Sequence, residues 1–129
     1  METEQEAVRK AAAYIETHLD ETLTLDAVAA CAGYSKYHFN RIFERATGCT
    51  VHRYIRKRRL TEAARALVQT NYPVMEIALS AGYESHQAFT QAFGDVYRLS
   101  PSAYRRRRVF FPAQQPYASL GSTEWRCAA

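Results

Sequence analysis

The sequence has few of the features that mark secreted, membrane-embedded or metal-binding proteins. Its 129 residues include only three cysteines, and none of them forms the Cys-x-x-Cys spacing of a zinc site. An odd number of cysteines also argues against a disulfide framework, so we expect reduced thiols. No apolar run approaches the roughly 20 residues that a membrane-spanning helix needs, and the acidic first six residues are unlike a signal peptide. We therefore expect a cytoplasmic, bacterial-style protein without a membrane contact.

Motifs that carry catalysis are also missing. The sequence contains no glycine-rich phosphate loop, no Gly-x-Ser-x-Gly and no His-Glu-x-x-His. Histidines and cysteines do cluster at positions 31, 38, 49 and 52, but this spacing matches no metal site. We expect neither an enzyme nor a bound metal or cofactor.

Acidic residues are scarce over most of the chain. Residues 1–30 hold seven acidic and two basic side chains, whereas residues 31–108 hold five acidic and fourteen basic ones. A basic block of this kind is the electrostatic footprint of a surface that binds a polyanion. A solvated basic face has the same composition, so charge alone leaves both interpretations open.

Two copies of one pattern lie within the chain and overlap this basic block. Each copy has an apolar helix face, a Gly-Tyr turn, a serine that can cap the next helix, and a Phe-x-x-x-Phe pair. In the first copy these residues are Leu25, Val28, Ala29, Ala32, Gly33, Ser35, Phe39, Ile42, Phe43 and Ala46. In the second they are Val74, Ile77, Ala78, Ala81, Gly82, Ser85, Phe89, Ala92 and Phe93. A helix, a tight turn and an amphipathic second helix make a helix-turn-helix, so the sequence predicts a tandem pair.

The remaining segments predict an all-α fold of about seven helices. A first amphipathic helix runs from about residue 4 to 18, and a connecting helix runs from about 50 to 70. Ser100-Pro101 opens a short last helix that ends near Arg108. We expect one domain over 1–108, with lobe one at about 5–49 and lobe two at about 71–108. Residues 109–129 are expected to be a tail or linker remnant, whose aromatics Phe110, Phe111 and Trp125 also allow docking.

The face of each second helix opposite its phenylalanines holds the candidate reading residues. In helix-turn-helix proteins the N-terminal part of this helix enters the major groove of DNA. Arg41 can bond bidentately to guanine, and Asn40 can do so to adenine. In the second copy Gln87 and Gln91 can also pair with adenine. The competing interpretation of each is an ordinary exposed polar residue.

Basic and hydroxyl side chains around these helices are candidates for phosphate contacts, which position a protein without reading sequence. The predicted phosphate-contacting residues are Lys36, Arg45, Arg53, Arg56, Thr90 and Arg105. The run from Arg105 to Arg108 is equally consistent with a solvated helix end.

The sequence resembles the DNA-binding domain of the AraC/XylS family of transcription regulators, closest to the branch typified by MarA, SoxS and Rob. The resemblance covers about residues 5–108 and rests on TLDAVAACAGYSKYHFNRIFERATG, YIRKRRLTEAARAL, PVMEIALSAGYESHQAFTQAF and LSPSAYRR. It implies base contacts from Tyr37, Asn40, Arg41, His86, Gln87, Ala88 and Gln91. The sequence departs from the family where Gln91 replaces an arginine, Ala88 a hydroxyl residue and Arg98 a glycine.

The resemblance implies a transcription regulator, usually an activator, that places two recognition helices in successive major grooves and contacts RNA polymerase. We expect the chain to bind double-stranded DNA as a monomer unless a further domain dimerises it, and hence to be nucleoid-associated in a bacterial cytoplasm. The alternative is an RNA polymerase-interacting module with weak, non-specific DNA binding. A fused alkyl-transfer enzyme would need a reactive cysteine in a Pro-Cys-His-Arg-like setting, which Cys127 lacks.

Overall fold

Seven α-helices form within residues 3–117, the part of the chain that the computed structural model describes. They are α1 (Glu4–Thr17), α2 (Leu25–Ala32), α3 (Lys36–Thr47), α4 (Val51–Gln69), α5 (Val74–Ser80), α6 (His86–Tyr97) and α7 (Pro101–Arg107). The all-α prediction is confirmed. None of the helices in these residues is long and apolar enough to cross a membrane.

The chain divides into two units, each with its own hydrophobic core. Unit one comprises Met1–Arg56 and Gln115–Ala129, and unit two comprises Lys57–Gln114. Unit one therefore holds α1 to α3 with the first turns of α4, and unit two holds the rest of α4 with α5 to α7. The division falls inside α4, because each half of this helix packs into a different core.

The core of unit one contains the apolar faces that the periodicity predicts. The buried members of the first repeat are Val28, Ala29, Ala32, Phe39, Ile42 and Phe43, while Leu25 is half-buried. Ala46 is exposed, so its predicted burial is wrong. Thr47 is buried in the last turn instead, and its hydroxyl donates to the carbonyl of Phe43 at 2.7 Å.

The core of unit two repeats this arrangement. The buried members of the second repeat are Ile77, Ala78, Ala81, Phe89, Ala92 and Phe93, while Val74 is half-buried. Burying one phenylalanine side chain contributes roughly 1.5–3 kcal/mol. The two aromatic pairs thus fix, in each unit, which face of the second helix is left for solvent.

The two turns have the same backbone geometry. Gly33 and Gly82 have φ angles of 81° and 91°, which glycine tolerates best. Tyr34 donates its N–H to the carbonyl of Ala29 at 3.0 Å, and Tyr83 donates to Ala78 at 3.0 Å. This six-to-one bond is the signature of a Schellman ending. The predicted helix-turn-helix repeat is therefore confirmed.

Serine caps start α3, α6 and α7 where the sequence predicts them. The side chains of Ser35, Ser85 and Ser100 each accept the backbone N–H three residues further on. Thr24 does the same for α2, accepting from Ala27 at 3.1 Å. Each cap satisfies a donor that the first turn of a helix leaves unpaired.

The basic run on α4 is only partly exposed. Arg58 is 1% exposed and Lys57 is also buried, whereas Arg53 and Arg56 are exposed. Arg58 bonds the Glu62 carboxylate at 2.9 Å and the carbonyl of Gln114. Because a buried charge must be paired, this arginine belongs to the framework of unit two.

The segment that follows α7 docks on unit two through its backbone. The Phe111 N–H donates to the Tyr104 hydroxyl at 2.9 Å, and the Tyr97 hydroxyl donates to the Phe111 carbonyl at 2.8 Å. Burial raises the pKa of Tyr97 to about 12, so its hydroxyl stays protonated and able to donate even at pH 10, where an exposed tyrosine is half ionised. The Gln114 N–H donates to Thr61 at 2.9 Å.

The aromatic residues of this segment behave differently from one another. Phe110 packs against the core of unit two under Arg65, whose guanidinium lies 4.5 Å from the ring centroid. Phe111 is 59% exposed. In unit one Tyr117 is buried, and its N–H donates to the Tyr54 hydroxyl at 2.9 Å. Trp125 lies outside the described residues.

One cysteine, Cys49, differs from the expectation that the thiols are reduced. Cys49 is buried and disulfide-bonded, so the prediction of reduced thiols is wrong for this residue. Cys31 is free and half-buried. Cys127 lies outside the described residues.

Arg98 ends α6 in the left-handed conformation, with a φ of 61°. Its N–H donates to the carbonyl of Gly94 at 2.9 Å, as the C-cap geometry requires. A residue with a Cβ pays roughly 1–2 kcal/mol in this conformation, whereas glycine does not. This explains why the resemblance predicts glycine at this position.

We expect Arg98→Gly to raise the free energy of unfolding by about 1 kcal/mol, because it relieves that strain. The melting temperature should rise by roughly 3–6 °C in a thermal unfolding experiment. Arg106→Gly is the matched control, since it also removes one arginine but from inside α7, and it should destabilise by about 1 kcal/mol. Equal effects of the two substitutions would contradict this interpretation of Arg98.

Candidate nucleic-acid interface

The exposed face of α3 carries aromatic and basic side chains. Tyr37 is 74% exposed, and His38 and Arg41 are also exposed. They lie on the side of α3 away from Phe39 and Phe43, because residues one or two positions apart point to different helix faces. The structure therefore places two of the predicted base readers, Tyr37 and Arg41, where they can reach a ligand.

Asn40 is the exception on this helix. It is half-buried, and its side-chain oxygen accepts the backbone N–H of Val51 at 3.1 Å. The orientation of the carboxamide follows from the partner, because a backbone N–H can pair only with the oxygen. Sequence reasoning missed this bond between α3 and the start of α4.

Two cations flank the exposed face of α3. The Lys36 ammonium lies 5.2 Å from the centroid of the Tyr37 ring. Arg45 approaches Glu4 at 3.4 Å, in a pair whose side chains are 67% and 56% exposed. Exposed pairs contribute only about 0–1 kcal/mol and are screened by salt. Arg45 can therefore exchange Glu4 for a phosphate at little cost.

The exposed face of α6 is polar and nearly uncharged. His86, Gln87, Ala88 and Gln91 are all exposed at the start and middle of the helix. Thr90 is half-buried, and its hydroxyl lies 3.4 Å from Nδ1 of His86. The four predicted base readers of the second repeat thus share one accessible surface.

The predicted phosphate contacts divide into two groups. Arg53 and Arg56 are exposed on the first turns of α4. Arg105 instead points at the end of α4. Its guanidinium donates to the carbonyls of Leu67 at 2.9 Å, Thr70 at 3.4 Å and Tyr72 at 2.7 Å.

The position of Arg105 has a simple cause. The last four carbonyls of a helix have no partner within the helix, and a cation at this end is also favoured by the helix dipole. Of the three carbonyls that Arg105 meets, that of Leu67 lies in the last turn of α4, and those of Thr70 and Tyr72 follow the helix. Arg106, Arg107 and Arg108 remain exposed and are better placed for an external anion.

Comparison with known sequences relates this geometry to a family. Residues 28–107 match the profile of a family described as a helix-turn-helix domain. The chain is 45% identical over 97 residues to the transposon Tn10 TetD protein of Escherichia coli, covering 75% of this chain and 70% of that protein. It is 46% identical over 99 residues to the right origin-binding protein of Escherichia coli strain K12, covering 77% of this chain. The match spans about a third of that relative, 34% of its length.

Solved structures share the fold. A transcriptional regulator from Chromobacterium violaceum, of the AraC-type DNA-binding domain-containing proteins, has a TM-score of 0.78 at 26% identity. That match covers 81% of this chain and 94% of the other. The DNA-binding domain of AdpA, solved in complex with a target DNA, has a TM-score of 0.73 at 30% identity. It covers 78% of this chain and 91% of its own.

Arg105→Ala should lower the free energy of unfolding by about 1–2 kcal/mol, because it leaves three carbonyls in the last turn of α4 and just beyond it without their charged donor. Urea unfolding followed by circular dichroism measures the difference. Arg106→Ala removes the same charge from an exposed position and should change stability by less than about 0.5 kcal/mol. If Arg105→Ala were as neutral as its control, the capping role would be wrong.

Proposed function

Because the chain belongs to the AraC/XylS family of helix-turn-helix transcription regulators, we propose that it binds specific sequences in double-stranded DNA and activates transcription. The observation that carries the proposal is the repeated unit itself. In each copy, a buried Phe-x-x-x-Phe pair leaves the opposite face of the second helix exposed and polar. We name these faces the α3 face (Tyr37 and Arg41) and the α6 face (His86, Gln87, Ala88 and Gln91).

The two faces read bases with different chemistry. On the α3 face, Arg41 pairs bidentately with guanine, and the exposed ring of Tyr37 contacts a thymine methyl. On the α6 face, Gln87 and Gln91 pair with adenine. One good bidentate contact is worth roughly 1–3 kcal/mol of discrimination, so loss of Arg41 removes a large part of what the first unit reads.

Phosphate contacts supply the affinity. We assign them to Lys36, Arg45, Arg53, Arg56 and Thr90, which flank the two faces. Each cation that neutralises a phosphate adds about 0.9 to the salt dependence of the logarithm of the binding constant. Arg105 is left out of this group, because its donors already satisfy the end of α4.

The connecting helix supports binding by a single chain. Nineteen residues at roughly 1.5 Å each make α4 about 28 Å long, which is close to the ~34 Å repeat of B-DNA. We therefore place the two recognition helices in successive major grooves, with no second copy needed. A monomer would then cover a site that many helix-turn-helix proteins read as dimers.

Activation through a contact with RNA polymerase completes the proposal, as the family resemblance implies. The opposing hypothesis is a module that binds the polymerase and only weakly contacts DNA. The two hypotheses differ in what the α3 face does. A DNA reader loses sequence preference when Arg41 is truncated, whereas a polymerase-binding module does not.

Selection from a randomised duplex pool, followed by sequencing, tests the proposed function. We expect a motif of two boxes about 10 base pairs apart for the parent chain. Arg41→Ala should erase a guanine in one box, and Gln91→Ala should weaken the other. Because both contacts are to bases, we expect a nearly unchanged salt slope for Arg41→Ala.

Two further variants serve as controls. Arg53→Ala should weaken binding to all sequences alike and reduce the salt slope by about 1, as expected for a lost phosphate contact. Arg9→Ala removes an exposed arginine from the acidic α1 and should leave both motif and slope unchanged. A pool without any enriched motif, bound equally by parent and Arg41→Ala, would favour the polymerase-binding module.

A further inference from the structure

Asn40 links the recognition helix of unit one to the next helix in the chain. It lies on α3 between the buried Phe39 and the exposed Arg41, and its side-chain oxygen accepts the N–H of Val51, the first residue of α4. This N–H is one of the four donors that the start of α4 cannot satisfy within the helix. Thr50 satisfies another, since its hydroxyl accepts from Arg53 at 3.2 Å.

The bond changes what Asn40 can read. Pairing with adenine needs the amide oxygen and the amide nitrogen at the same time, one accepting from N6 and the other donating to N7. In Asn40 the backbone N–H of Val51, at 3.1 Å, takes one of the two lone pairs of the oxygen and holds the carboxamide against the start of α4. To pair with adenine, this carboxamide would have to meet the base edge in the orientation that the bond to Val51 imposes, so the bond limits its use as a base reader.

In the second repeat, the helix that corresponds to α4 begins with a residue that has no N–H to satisfy. At the same offset of fifty residues that relates Phe39 to Phe89, Val51 corresponds to Pro101 and Asn40 corresponds to Thr90. A proline at the first position of a helix has no N–H to satisfy. Thr90 makes no corresponding bond to α7; its hydroxyl lies beside His86 instead. The acceptor on the recognition helix thus occurs in the copy that has the donor.

From this pairing we infer that Asn40 is a positioning residue, which fixes α3 against the start of α4 and thereby aims Arg41, and that it does not select adenine. The inference rests on the proposed function, because it concerns how unit one reads DNA. It assigns the sequence information of the α3 face to Tyr37 and Arg41. It also predicts that the bond to Val51, rather than a base, accounts for the effect of replacing Asn40.

A thermal unfolding cycle tests the bond without DNA. Asn40→Ala in the parent chain should lower the melting temperature by about 3–8 °C, because the Val51 N–H loses its acceptor. In a Val51→Pro background, which has no such N–H, the same substitution should shift it by less than about 1 °C. Val51→Ala is the matched control: it trims the same buried side chain but keeps the N–H, so the full effect of Asn40→Ala should persist there.

A conservative variant keeps this test decisive if Val51→Pro fails to fold. Asn40→Asp retains an acceptor oxygen, and a carboxylate at a helix N-terminus is favoured by the helix dipole. It should therefore retain the melting temperature of the parent to within about 2 °C. A loss as large as that of Asn40→Ala would overturn the assigned bond.

The base preference of the chain tests the positioning role of Asn40. A residue that only stabilised the fold would leave this preference unchanged. In selections from a randomised duplex pool, Asn40→Ala should leave every adenine preference within about threefold of the parent, whereas true bidentate readout would lose about 5- to 150-fold. The guanine preference that depends on Arg41 should fall about threefold or more, and Asn40→Asp should restore it.

The outcomes separate this inference from the function on which it rests. Loss of an adenine preference in Asn40→Ala, with the parent motif otherwise intact, would show that Asn40 reads a base and would overturn the inference alone. An unchanged guanine preference in Asn40→Ala would also overturn it. A parent chain that enriches no motif would instead overturn the proposed function.

Discussion

The burial of two phenylalanines on one side of each second helix is the constraint on which the rest of the structure depends. With Phe39 and Phe43 inside unit one, and Phe89 and Phe93 inside unit two, neither helix can rotate without exposing both rings. Removing a buried phenylalanine costs roughly 3–5 kcal/mol, a large part of the 5–15 kcal/mol that stabilises a typical domain. The outward faces are therefore consequences of core packing, and the chemistry of each face follows from which residues occupy it.

The turns and caps determine where each second helix begins, and this allows its phenylalanines to reach the core. Gly33 and Gly82 reverse the chain within one residue, and the serines that follow start α3 and α6 at defined positions. A change of one residue at either cap would rotate the following helix by about 100°, because 3.6 residues complete a turn. The local sequence thus determines both where each second helix begins and which side it presents.

Periodicity and cap chemistry predicted the fold well, because both are local signals. The helix starts, the glycine turns and most of the buried positions follow from residues within one or two turns of each other. Ala46 shows the limit: it continues the helical period, but the last turn of α3 buries Thr47 in its place. Helix ends depend on how the next segment leaves, and periodicity does not contain that information.

The exposure of the candidate residues was largely predictable from the sequence, whereas the bonds that two of them make were not. Tyr37 and Arg41 on α3, and the exposed residues of α6, lie where the pattern places them. Asn40 and Arg105 have the right residue types for DNA contacts, yet both bond main-chain groups at the two ends of α4. Such bonds join residues 11 and 38 positions apart, so they depend on tertiary contacts that a single sequence does not reveal. Internal comparison of the repeats does give one clue, since Pro101 stands opposite Val51.

Protection of guanine N7 from methylation, in a bound duplex from the selected pool that carries guanines in both boxes, tests most directly whether both faces enter the major groove. Guanine N7 lies in the major groove and adenine N3 in the minor groove, so one reaction reports on both. Two recognition helices in successive major grooves predict two clusters of protected guanines, about 10 base pairs apart on one side of the duplex. A single cluster of protected guanines, or protection confined to adenine N3, would contradict the placement of both helices in major grooves.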